Sequence, residues 1–279
     1  MNTPEQIGFG LIGKAQRLQY CLTPRMMGLL VGLTMSLLLA IVASAQTSTA
    51  PVAAPKPPAQ WPKGISFTAT GSIGGSEQAL ALSGLYNFNI AFRKRFKIGL
   101  GLRSSSYWGQ GKYFETAPAS LTTNQEGPQV IFVPSIPQNI DSIKVGQSYT
   151  QSINAYLNLE YAISSKFDIG FNIDLAGITI GSASDISLVS SYVTNASSVR
   201  LSAKPTFDNL LLTSDNDKGS LNSEIYARYH VNDRWAIVGG ASFLFSELKT
   251  DQKNYNFGND RFRRKALLGT IGVTWYPFR

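Results

Sequence analysis

Side chains able to do chemistry are sparse in this 279-residue chain, which has one histidine, His230, and one cysteine, Cys21. His230 follows Glu224 and Arg228 at a two-residue period, so the three can share one face of a strand, but no nucleophile, base and orienting group are recognisable around it. Asp215-Asn216-Asp217-Lys218-Gly219 opens like a calcium loop. Lys218 and the missing distal Glu break that pattern and leave a loop-tip turn. No zinc spacing, P-loop or dinucleotide motif occurs, so no enzyme activity, metal or cofactor is expected.

The remaining charges fall into two sets. Lys97, Arg103, Glu160, Asp168, Asp174, Glu224 and Arg228 alternate with apolar residues, on a face otherwise built of Gly, Ser, Thr and Asn. Buried charges persist only when paired, so the expectation is an ion-pair network inside a narrow interior; a solute-lining conduit is the alternative. Arg261, Arg263, Arg264 and Lys265 cluster at the start of the last strand, where they could meet anionic headgroups or lipopolysaccharide phosphates.

The elements that must position these residues follow from composition and period. Charged residues are 15% of the chain against about 25% in ordinary soluble domains, and hydrophobic residues are 43%. Lys14, Arg17 and Arg25 precede an apolar stretch from Met26 to Val42 and the small residues Ala43-Ser44-Ala45, the layout of a secretory signal over 1–45. An uncleaved anchor is the alternative, and translation starting at Met26 or Met27 is another. Residues 46–63 are a Pro-rich periplasmic spacer, with Pro51, Pro55, Pro57, Pro58 and Pro62 excluding regular structure. The net charge of +8 falls to +6 without the signal, an excess too small to indicate nucleic acid.

From 64 to 279 the period is two. Apolar rows at Ile65–Ala69, Tyr86–Phe92, Phe96–Leu102, Ile153–Tyr161, Phe167–Leu175, Ile225–Tyr229, Trp235–Phe245 and Leu267–Trp275 predict eight strands. Val130–Val133 and Ile186–Val193 could extend strands or add a hairpin, so ten is the alternative count. Three very short connections, Phe92–Phe96, Ile163–Phe167 and Val231–Trp235, alternate with long segments near 109–148, 181–219 and 249–263. Short turns at one rim and long loops at the other are the asymmetry of an outer-membrane barrel with periplasmic turns. Phe92, Phe96, Tyr161, Phe167, Tyr229, Trp235 and Trp275 lie at the turn end, where a periplasmic aromatic girdle belongs.

Over roughly Ile65–Arg279 this pattern resembles the small eight-stranded outer-membrane proteins of the OmpA/OmpX type and the broad porin-like outer-membrane β-barrel family. The carboxyl end, Trp275-Tyr276-Pro277-Phe278-Arg279, is similar to the aromatic ending of those families, which implies recognition by the barrel assembly machinery; Pro277 and Arg279 depart from it. The expected protein is an all-β, antiparallel up-and-down transmembrane barrel in a Gram-negative outer membrane, monomeric and in contact with lipid, lipopolysaccharide included. Its expected function is non-enzymatic: a binding or protective surface on long extracellular loops. A small channel or apolar-ligand transport barrel is the alternative, and a hydrolase or acyltransferase centred on His230 a third.

Overall fold

A computed structural model describes residues 64–91, 95–126, 130, 132–190, 201–212, 216–251, 253 and 258–277. The expected signal and spacer over 1–63, Phe92, Asp215, and Phe278 with Arg279 lie outside the described residues. The elements are β1 (Ile65–Gly74), β2 (Glu77–Ala91), β3 (Phe96–Thr116), α1 (Ala119–Thr123), β4 (Ser142–Ala162), β5 (Phe167–Gly181), β6 (Ser184–Ser190), β7 (Leu201–Pro205), β8 (Asp208–Leu210), β9 (Leu221–His230), β10 (Trp235–Thr250) and β11 (Arg261–Trp275).

Eight of these strands close into a ring. Antiparallel ladders join β1, β2, β3, β4, β5, β9, β10 and β11 in that order, and β11 returns to β1 through Phe67↔Trp275 to Ile73↔Gly269. Closure satisfies the backbone groups that an open edge would leave bare. These are the eight strands that the two-residue period predicts.

Burial decides which face points where. Leu82 is 67% exposed, Leu102 63%, Ile153 50% and Ile271 69%, while Asn158, Asp168 and Thr274 on the opposite face are fully enclosed. A water-soluble barrel would be built the other way round. An apolar outside over a polar inside places this barrel in a bilayer, and a closed ring of this kind is the outer-membrane form. The short-turn rim carries aromatic side chains: Phe96 registers with Tyr161, Phe167 with Tyr229, and Trp235 with Trp275. The Trp275 ring lies 6.3 Å from Trp235 and 6.0 Å from Phe67. At the other border Trp108 and Tyr149 pack at 5.6 Å. From Phe96 to Trp108 the strand advances about 40 Å at ~3.3 Å per residue. A ~40° tilt reduces that to about 30 Å, an interface-to-interface height.

The strands do not stop there. β3 and β4 are 21 residues each, about twice the ~10 a tilted strand needs to cross a bilayer, so much of the segment expected as a loop at 109–148 is sheet, with only 117–141 between the two strands. The reason the alternation misled is local. Along β3 the buried set runs Lys97, Arg103, Ser105 and Tyr107, then changes phase to Phe114 and Thr116; along β4 it changes from Thr150 and Ser148 to Val145 and Ile143. The switch falls at Gly111, whose φ of 61° lies in the left-handed region that favours glycine, and at the facing Gly146.

Above the switch the ring closes a second time with six strands. β3 meets β11 directly (Phe262↔Thr116), because the β1–β2 hairpin has ended at Gly75-Ser76; β5 and β9 are replaced by the β6–β7 hairpin, which pairs with β4 and β10. Of the segment read at 186–193, residues 186–190 lie in β6, which forms its hairpin with β7 above the eight-stranded ring, while 191–193 lie outside the described residues. Phe114, Ile143, Val145, Ile186, Ala203, Leu248 and Phe262 fill this upper ring as one apolar cluster.

Candidate functional site

The interior below the apolar cluster gathers many ionisable groups, and strand register explains how. Because side chains directly opposite on neighbouring strands lie within about 5.5 Å, register alone brings Lys97 opposite Glu160 and Asp168 opposite Arg228. The charges stack in three layers along the barrel.

The layer nearest the short turns centres on Glu160. Its Oε1 accepts from Lys97 Nζ at 2.7 Å, its Oε2 accepts from Tyr226 Oη at 2.8 Å, and Arg228 donates to the same carboxylate. Asp168 lies 3.7 Å from Lys97 and shares a proton-bearing contact of 2.8 Å with His230 Nε2, whose ring lies 5.5 Å from Tyr276. Tyr226 has room because its neighbour across the ladder is Gly170: a Cβ there would collide with the Tyr226 ring.

The middle layer is Arg103 with Asp174 at 3.7 Å and Glu224 at 3.6 Å, under the Tyr156 ring at 4.8 Å. Asn154 donates to Asp174 and Asn172 to Glu224, so both carboxylates are also hydrogen-bonded. A water-sized cavity lined by Arg103, Glu224, Tyr156 and Ser83 adjoins them, a spacing that a bridging water fits.

The top layer holds Glu77, to which Tyr107 donates at 2.8 Å, Arg264 donates through Nε and Nη2 at 3.0 and 2.9 Å, and Lys112 adds an ion pair at 3.2 Å. Immediately above comes the apolar cluster. Chemically, such an interior satisfies charge and excludes solute; no wide aqueous path is present among the described residues.

No known protein family matches the chain, and no curated protein is similar to it. Among solved structures it is similar to the attachment invasion locus protein Ail of Yersinia pestis, solved in complex with the heparin analogue sucrose octasulfate. That likeness has 11% identity over 76% of this chain and 98% of that one, with a TM-score of 0.33. The backbone structure of Ail in phospholipid nanodiscs gives 11% identity over the same shares and a TM-score of 0.32. The CymD monoaromatic hydrocarbon channel follows with 12% identity, 79% of this chain, 90% of that one and a TM-score of 0.23. The barrel itself rests on its own ring of strands and its own burial pattern.

The structure brings all seven interior charges named from the sequence into the lower two layers, with His230 at the edge of the lowest. It divides the basic cluster. Arg264 turns inward to Glu77, whereas Arg263 and Arg261 both bind Glu247. By register Glu247 and Arg263 sit on the face opposite Leu248 and Phe262, yet both are buried, because Thr206 and the Asp217 backbone close over them. Lys265 stays exposed, 5.7 Å from the Phe245 ring. Asp217 accepts from the Leu212 backbone and Lys218 pairs with Asp208, a turn stabilised by its own side chains; no group of potential metal ligands occurs among the described residues. Sequence reasoning missed Glu77 and Glu247. Glu77 lies between the apolar rows Ile65–Ala69 and Tyr86–Phe92, and its partner Arg264 is 187 residues away; only strand closure could have revealed the pair.

Proposed function

We propose that this protein is a non-enzymatic, non-conducting outer-membrane barrel, a lipid-anchored scaffold that holds its six-stranded upper tier and the loops above it outside the cell as a binding or protective surface. The observation that carries this reading is the apolar cluster seated over three layers of paired charge. An eight-stranded ring is only just wide enough for its own side chains, and a six-stranded one is narrower still. Short turns point to the periplasm and long loops outward, the usual arrangement for such barrels. The position of His230 supports a structural role: it is held between Asp168 and Tyr276 at the short-turn rim, remote from the long loops.

Single-barrel recordings in planar bilayers test the proposal. The expected result is a flat baseline for the protein and for Arg103→Gln and Asp174→Asn alike. Steady conductance that changes with either substitution would overturn it in favour of a small channel.

A further inference from the structure

We infer that the outer wall formed by β7, β10 and β11 is a binding site for the phosphates of an outer-leaflet glycolipid, with Lys204, Lys249, Arg261 and Lys265 as its cationic groups. The inference rests on the proposed orientation, loops outward.

Register is the first ground. Lys204 on β7 faces Lys249 on β10, and Lys249 faces Arg261 on β11, so three cations stand side by side across the wall. Like charges directly opposite each other destabilise a sheet, and the local carboxylates answer only part of this row. Asp260 lies 3.5 Å from Lys249 and 3.7 Å from Lys253, Glu247 is buried between Arg261 and Arg263, and Glu115 lies opposite Arg263. Lys204 is exposed and has no carboxylate at ion-pair distance among the described residues. Arg261 is held in place by Glu247 through Nε and Nη2, yet 23% of its side chain remains exposed.

Height is the second. Trp275 marks the short-turn interface, and from it to Lys265 the strand runs about 33 Å at ~3.3 Å per residue. That is about 25 Å of height at a ~40° tilt, which is the thickness of the apolar band of such barrels. Lys265 therefore stands at the upper edge of the hydrocarbon, and the row of three stands about 10 Å higher, at the depth of lipid phosphates.

The third ground distinguishes a lipid from a soluble anion. Directly below the cations the same wall is apolar: Phe245 lies beside Lys265, Leu267 is 56% exposed and Ile271 69%. Acyl chains fit that lower part while phosphates meet the row above. A dissolved polyanion would use the row and leave the apolar part idle.

The test measures partition of bisphosphorylated lipid A onto the refolded full-length protein in mixed micelles, with dephosphorylated lipid A and a soluble sulfated polysaccharide as comparison probes. At about fivefold per charge near an anionic surface, the Lys204→Gln/Lys249→Gln/Lys265→Gln variant should lose on the order of a hundredfold in affinity. The corresponding triple Arg variant should keep it. Heat-modifiable migration verifies folding, and if the triple Gln protein fails to fold, Lys204→Gln alone is read for a fivefold loss. Unchanged affinity in the Gln variant, equal binding of the dephosphorylated lipid, or tighter binding of the polysaccharide each overturns the inference. Conductance and protease accessibility of the 117–141 loop on intact cells report on the scaffold reading separately.

Discussion

At the scale of single residues, the interior is governed by what happens when one partner of a buried pair is removed. Glu160 accepts from Lys97, Tyr226 and Arg228 with its carboxylate fully enclosed. Glu160→Gln would leave Lys97 and Arg228 to share Asp168 as their remaining buried counter-charge, a change that costs about 3–5 kcal/mol. Asp174→Asn is milder, about 1–3 kcal/mol, because Arg103 keeps Glu224 at 3.6 Å. Urea titration of the two variants in lipid should rank them in that order; equal midpoints would show that the lowest layer contributes no more than the middle one. The sequence shows that these residues share a face, since alternation is a property of one strand. It does not show their partners, because pairing Lys97 with Glu160 requires the register of β3 on β4, and Glu77 with Arg264 requires the whole circle to close.

At the scale of elements, the informative feature is the change of phase in β3 and β4. Nothing lies within 4 Å of a Cβ placed on Gly111, so a side chain there meets no steric obstacle; the conflict is with its φ of 61°. Gly111→Val should therefore loosen the upper tier by about 1–2 kcal/mol. Phe262→Ala, which empties part of the apolar cluster, should loosen it by about 3–5 kcal/mol. Both variants are expected to expose the 117–141 loop to limited proteolysis while the heat-modifiable barrel band persists, with Phe262→Ala cut faster. Loss of the barrel band in either would mean that the tiers are not separable. The period of two revealed the eight membrane strands because each keeps one phase over most of its length; in β5 the phase shifts only at Leu175, where Ala155↔Ala176 gives way to Tyr156↔Asp174. It concealed the upper tier because Gly109-Gln110-Gly111-Lys112 interrupts the pattern at the place where the faces exchange.

At the scale of the whole molecule, one continuous sheet encloses two interiors of different chemistry: layers of paired charge around a small apolar cluster of Ala79, Tyr107, Leu244, Ala266 and Leu268 in the eight-stranded ring, and aliphatic and aromatic packing alone in the collar above it. That bears on cooperativity. The lower ring is stabilised by a bilayer around it and by ion pairs within, whereas the collar above is held by the hydrophobic effect in water, with a heat-capacity and temperature dependence of its own. The six-stranded collar should act as a separate foldon, opening at lower denaturant than the membrane ring and well before it. Hydrogen exchange on the protein in nanodiscs should show amides of Phe114, Ile143 and Leu248 exchanging as one group, ahead of those of Asn158, Asp168 and Arg228. If so, the collar can be altered by substitution, or its β6–β7 hairpin exchanged, without disturbing insertion of the ring beneath, and selection can act on the upper tier of this chain while the membrane part stays fixed.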